Sequence, residues 1–278
     1  MMPDDALTAY VHEHSELALR GLLCIERAGE GELEQELTVE TVHETRTSLR
    51  RLRATLRTFP ESFAQLARDP ARTDRDLRFV ARTLSELRDT DVLAQDLLAQ
   101  IEALPASLVL GPVREDLADA LASRRRTAVA HVAARHDSAR WRGAVDQLRS
   151  WQQDPPRLVG RAPLRLLEGV RDEVRGRLRA AHGAPHALHS ARKAAKRWRY
   201  AAELLLPVAP GAAADYDAAT TVHVQLGQLQ DAVVATGFLL EHAHAGGRRG
   251  HNAFTTGLLH QRAQQRIQDI TAQAPQLL

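Results

Sequence analysis

Residues 42–59 read Val-His-Glu-Thr-Arg-Thr-Ser-Leu-Arg-Arg-Leu-Arg-Ala-Thr-Leu-Arg-Thr-Phe. As a helix, the stretch turns about 100° per residue, which places His43, Arg46, Arg50, Arg53 and Arg57 within one arc of roughly 80°. Leu49, Leu52, Leu56 and Phe59 occupy the neighbouring arc. An ordinary surface helix sets its charges opposite its apolar stripe. Here the cations stand at the edge of the core face, where they would line a cleft between packed helices. Five arginines against Glu44 leave the stretch at +4, so it repels itself unless an anion is present.

The stretch occurs twice. Residues 188–205 read Leu-His-Ser-Ala-Arg-Lys-Ala-Ala-Lys-Arg-Trp-Arg-Tyr-Ala-Ala-Glu-Leu-Leu. His43 matches His189, Arg46 matches Arg192, Arg50 matches Lys196, Arg51 matches Arg197 and Arg53 matches Arg199, all at an offset of 146 residues. One pattern, H-x-x-R-x-x-x-[RK]-R-x-R, covers both copies. A second echo follows each: Leu84-Ser85-Glu86-Leu87-Arg88-Asp89 matches Leu226-Gly227-Gln228-Leu229-Gln230-Asp231 at an offset of 142. Two echoes in one order at nearly one offset indicate an internal duplication of about 140 residues.

Composition limits the alternatives. The chain of 278 residues is long enough to bury a substantial core, as one large domain or two small ones. It is rich in Ala, Leu, Arg and Gln and poor in aromatics, a mixture that favours helix. Lys and Arg total 37 against 35 Asp and Glu, so the basic character is local. A single cysteine, Cys24, excludes an intrachain disulfide framework and a cysteine zinc cluster. The Met-Met-Pro-Asp-Asp start lacks the pattern of a signal peptide, and no apolar run reaches membrane-spanning length. A cytoplasmic protein without membrane insertion is the resulting expectation.

Along the chain, the spacing predicts helices over 4–28, ended by Gly29 and Gly31, and over 38–58. Thr38 is the expected N-cap, Thr41 with Glu44 has capping-box spacing, and Pro60 closes the second helix. A long third helix spans 73–102, a fourth 112–135 and a shorter one 138–151. Residues 152–163, with three prolines and a glycine, read as a linker. Helices follow at 163–182, 185–206, 212–244 and 251–273, with Gly246-Gly247-Arg248-Arg249-Gly250 as a break. No strand pattern is present. The expected fold is all-α: two antiparallel four-helix bundles, residues 1–151 and 164–278, joined by the linker.

The residue choice points to a multivalent anion. Arginine's planar fork fits phosphate oxygens two at a time and stays charged at any relevant pH. A row at i, i+3, i+7 and i+10 spans roughly 15 Å, more than one phosphate. Two such helices face to face would form a basic groove for a linear polyanion. The histidines, at the N-terminal ends of the rows, would donate to phosphate oxygens, more strongly when protonated.

The paired motif helices with their L-x-x-L-x-D segments resemble the CHAD family, the conserved histidine α-helical domain, over nearly the whole chain. The resemblance implies two four-helix bundles related by a pseudo-twofold, with the basic helices lining a central cleft. It also implies binding of inorganic polyphosphate; a granule-associated location would rest on the family alone. His43, Arg46, Arg50, Arg51, Arg53, Arg57, His189, Arg192, Lys193, Lys196, Arg197 and Arg199 are the expected polyphosphate-binding residues. Nothing in the sequence resembles the CYTH-type barrel to which some members are fused, so the chain reads as a stand-alone member. Two departures stand out: Glu203 replaces Arg57 in the second copy, and Lys196 replaces Arg50, keeping charge without the bidentate fork.

Rival readings carry less. Neither motif histidine has an acidic or histidine partner one turn on, and neighbouring arginines repel cations, so no metal or other cofactor is expected. His12, His14, His242 and His244 read as surface residues. An enzyme using His43 or His189 as nucleophile or acid would lack clustered carboxylates for Mg²⁺, so no catalytic residue is assigned. A nucleic-acid binder would show aromatics interleaved with its cations. Trp141, Trp151, Trp198 and Tyr200 read instead as packing residues, with Tyr200 at the border of the groove. Oligomeric state is left open.

Overall fold

The computed structural model describes residues 3–28, 32–63, 69–157, 163–181 and 183–277. Eleven α-helices follow one another there: α1 (Pro3–Arg27), α2 (Leu33–Glu36), α3 (Val39–Thr58), α4 (Pro70–Thr83), α5 (Ser85–Glu102), α6 (Val113–Ala133), α7 (Ala139–Gln153), α8 (Pro163–Ala181), α9 (Pro185–Leu205), α10 (Ala212–Arg248) and α11 (Phe254–Gln273). Short 3₁₀ turns lie at Pro60–Phe63, Ala106–Leu108 and Ala274–Gln276. The fold is all-α. No helix among the described residues is long and apolar enough to cross a membrane.

The chain divides into two compact units, the first made of residues 1–88, 128–173 and 194–220, the second of 89–127, 174–193 and 221–278. In the first unit, α1 and α4 each pack on both α3 and α7, which closes a ring of four helices. Leu7, Val11, Leu22, Leu49, Leu52, Leu77, Val80, Trp141 and Leu148 fill it and are almost fully buried. Phe63 meets Trp151 edge to face at 5.5 Å between centroids. The second unit has its own core, in which Leu93, Leu97 and Ile101 of α5 meet Leu117 and Leu121 of α6, Phe238 and Leu239 of α10, and Leu259 of α11. The buried Thr255 hydroxyl ties the loop before α6 to α11, donating to Leu108 O at 2.7 Å and accepting from Leu110 N at 2.9 Å. Both units draw on residues from either side of 152–163.

Several boundaries differ from expectation for identifiable reasons. The helix over 73–102 is two, broken at Leu84, because hydroxyls on either side compete for helix carbonyls. Thr83 Oγ1 donates to Phe79 O at 3.1 Å and Ser85 Oγ to Ala81 O at 2.7 Å. The apolar stripe runs straight through the break, which hides it. Gly246 and Gly247 do not stop α10. The stop is Gly250 at φ 77, where His251 N bonds Gly246 O and Gly250 N bonds Gly247 O, the Schellman pattern. Thr38 caps α3, accepting from Thr41 N at 3.1 Å, which puts Thr41 inside the first turn and leaves no capping box there. The one-turn helix α2 is an addition. Gly29 and Gly31, and residues 158–162 of the expected linker, lie outside the described residues.

Candidate functional site

Helix α3 is amphipathic with its cations beside its core stripe. Leu49, Leu52 and Leu56 are at most 4% exposed, and the arginines next to them are drawn into contacts with three other helices. Arg46, itself buried, donates through Nε to Ser85 Oγ at 3.1 Å. One turn earlier, the exposed His43 ring accepts at Nδ1 from Arg88 Nε at 3.2 Å. Residues 43 and 46 therefore meet 88 and 85 in reverse order, so α3 and the first turn of α5 run antiparallel. Arg50 is half-buried. Arg51 pairs with Glu203 of α9 at 2.8 Å. Arg53 grips Asp74 of α4 with two bonds, 2.9 and 3.4 Å, and Arg57 reaches the same carboxylate at 2.7 Å.

The C-terminal part of α9 adds Lys196, Arg197 and Arg199 to the first unit. Arg197 is bonded to Glu173 of α8. Tyr200 is buried, with the Arg199 guanidinium 4.6 Å from its ring centre and that of Arg51 at 5.4 Å. Trp198 is buried as expected, and its Nε1 donates to Asp215 Oδ1 at 2.9 Å. The Arg51–Glu203 bond joins the two motif helices directly, at the position where the second copy departs from the first. The 146-residue offset maps that pair onto Arg197 and Arg57, and these two are like charges in mutual repulsion. Burial first, and then the Arg57 charge, push Arg197 below the ordinary arginine value.

The remaining motif residues, His189, Arg192 and Lys193, belong to the second unit. There a Cβ at Gly227 would lie 3.7 Å from Arg192 Nε. Gly227 is the residue the second echo matches to Ser85, and Arg192 the one matched to Arg46. The same register thus meets in each unit, with a hydroxyl in one and bare backbone in the other.

Electrostatics decide how these groups are held. Burial works against the charge of Arg51, but the bond and charge of Glu203 outweigh it and raise its pKa. Burial alone would raise Asp74; hydrogen bonds from Arg57 and Arg53, with their charges, hold it below the usual carboxylate range. Burial lowers His43, and Arg88, Arg46, Arg51 and Arg50 push the same way. His43 thus accepts at Nδ1 and holds a proton less readily than an ordinary imidazole, where its place in the motif pointed to a donor to phosphate, stronger when protonated. His14, unlike His43, is buried, with its ring edge-on to Tyr10 at 4.3 Å, and burial followed by the Arg51 charge lowers it to about 4. His242 is buried against Phe238. Neither is the surface residue its neighbours His12 and His14, or His242 and His244, led us to expect. His12 and His244, two residues away on the same helices, are exposed. Among the described residues no cluster of three His, Cys, Asp or Glu side chains is placed to hold a metal ion.

The sequence reading missed the carboxylates. Asp74 and Glu173 come from α4 and α8, and no periodicity links them to the motif. They answer part of the self-repulsion that the motif alone implies. Asp74→Asn is expected to cost about 2 kcal/mol, since it leaves the half-buried Arg53 with a neutral acceptor; the half-exposed Arg57 adds little. Thermal unfolding measures this, and no loss would show the bonds to be incidental. Because Asp74 titrates below its ordinary value of 3.8, its contribution is fully present above that pH. It is lost as pH falls through the depressed value.

The fold and the site define a class, the helical-bundle proteins that carry two arginine-rich motif helices. The chain belongs to the CHAD domain family, whose model matches residues 23–240. An uncharacterized protein of Mycobacterium tuberculosis, in two strains, is 30% identical over 233 residues. The match covers 80% of this chain and 44% of the relative, so the chain spans less than half the length of the curated relatives it matches. Among solved structures, PptA from Streptomyces chartreusis is similar at a TM-score of 0.74 with 20% identity, covering 98% of this chain and 97% of that one. The CHAD domain from the plant Ricinus communis is similar at a TM-score of 0.62 with 21% identity, covering 99% and 92%. These two likenesses concern the fold.

Proposed function

We propose that the protein binds inorganic polyphosphate, or a similarly phosphate-dense polyanion, through the cations of its two motif helices and without chemistry on the ligand. The observation that carries this reading is the gathering in one unit of five arginines from α3 and three cations from α9, joined by the Arg51–Glu203 bond. Asp74, Glu173 and Glu203 bond four of these cations, yet Arg197 remains destabilised by Arg57. A linear polyanion would relieve that repulsion. Family membership supports the same ligand, and bidentate guanidinium groups suit its phosphate oxygens.

Calorimetry with medium-chain polyphosphate tests the reading on the wild type and on the double variant Arg50→Gln, Lys196→Gln. These two positions match across the repeat and are half-buried, so the variant keeps its core. Each charge-assisted contact is worth about 1.5–3 kcal/mol, so the pair is expected to cost about a hundredfold in affinity with the helical circular dichroism unchanged. Unfolding of the variant would reassign both cations to a structural ion network. No binding by the wild type would overturn the proposal, and single-stranded RNA at matched salt would be the next ligand to titrate.

A further inference from the structure

Arg88 belongs to neither basic row. It comes from α5, inside the segment that echoes at 226–231, and its match there is Gln230. In the first unit it turns its Nε onto the Nδ1 of His43, while its NH1 is buried without a hydrogen-bond partner among the described residues. Ser85, one turn earlier on α5, takes Arg46. The first turn of α5 thus holds one cation from α3 and offers one of its own beside it.

We infer that His43 is a positioning residue, an acceptor that fixes Arg88 as an additional anion contact beyond the two basic rows. The inference rests on the polyphosphate reading. An imidazole with Nδ1 unprotonated can accept from a guanidinium, and an imidazolium cannot, since both ring nitrogens then donate. Protonation would place two donors and two like charges 3.2 Å apart. The charged groups bearing on the ring are Arg88 of α5 and Arg46, Arg50 and Arg51 of α3, and all disfavour the proton. α1 and α4 also pack on α3. Their nearby titratable groups, Tyr10 and His14 on α1 and Asp74 on α4, act on Arg51, Arg53 and Arg57 further along. The second copy keeps the histidine, His189, but has glutamine where the arginine stands, so this added cation is particular to the first copy.

The test combines polyphosphate affinity with the titration of the His43 ring. His43→Leu and Arg88→Met are each expected to weaken binding about tenfold, with the double variant no weaker than either single one, as for groups acting as one unit. His43→Asn keeps an acceptor at the same position and is expected to recover most of what His43→Leu loses. By nuclear magnetic resonance, the His43 ring of the ligand-free protein titrates below ordinary imidazole and rises towards it in Arg88→Met. Additive losses, or an Arg88→Met affinity equal to wild type, would overturn the inference. So would a wild-type affinity that climbs between about pH 8 and about pH 6 while that of His43→Asn does not, because imidazolium would then be the contact. Failure of the wild type to bind at any pH sinks the polyphosphate reading and Arg88's part in it; the ring titration still reports on the His43–Arg88 bond.

Discussion

Raising monovalent salt from about 50 to about 200 mM is expected to weaken polyphosphate binding roughly 300-fold, with an unchanged fold. Neutralising a phosphate with a cation releases condensed counterions, and the logarithm of affinity falls with that of salt by about 0.7 per contact on a single strand. The number of effective contacts follows from how the cations are held. Arg51, Arg53, Arg57 and Arg197 already have carboxylates. A phosphate that approaches them exchanges one anion for another and releases little. Counting about half of the twelve motif residues as effective gives about six contacts, and hence the estimate. A slope near one would mean that a single phosphate is gripped and the rest of each row is structural. A slope of zero would place affinity in something other than charge.

The internal carboxylates also explain what the sequence could and could not show. The basic rows are legible because a helix repeats its faces every few residues, and the same five positions recur 146 residues on. Thr38 as a cap and the burial of Trp141, Trp151 and Trp198 are local properties and are legible for that reason. Asp74 and Glu173 are not, because their pairing with the motif arginines is set by tertiary packing alone. The same holds for His43: its place in the motif is legible, but whether it donates or accepts depends on Arg88, which lies 45 residues away. The break at Leu84 is invisible for a different reason. The apolar period that reveals a helix does not register two hydroxyls bonding back to its carbonyls.

The substitution expected to cost most stability lies between two motif cations, at Trp198. Trp198→Ala should destabilise the protein by about 3–5 kcal/mol, as for other large-to-small changes in cores. That corresponds to roughly 10 °C in Tm for a chain of this size. The side chain is 1% exposed, and Ala202, Leu204 and Leu205 are buried with it on α9. Its Nε1 holds Asp215, which also faces Arg171 at 3.6 Å. Trp198→Phe keeps most of the volume and removes that bond, so about 1–2 kcal/mol is expected from the partly unsatisfied carboxylate. The functional consequence follows from sequence position. Arg197 and Arg199 flank the indole, so the depth to which it anchors α9 sets where both guanidinium groups emerge. Trp198→Ala should therefore weaken polyphosphate binding below its own melting temperature, although polyphosphate has no base to stack on the ring. Tryptophan fluorescence and calorimetry on the same sample separate the two effects. A variant with unchanged stability that had lost affinity for single-stranded RNA would make Trp198 a stacking surface for bases and turn the functional reading towards nucleic acid.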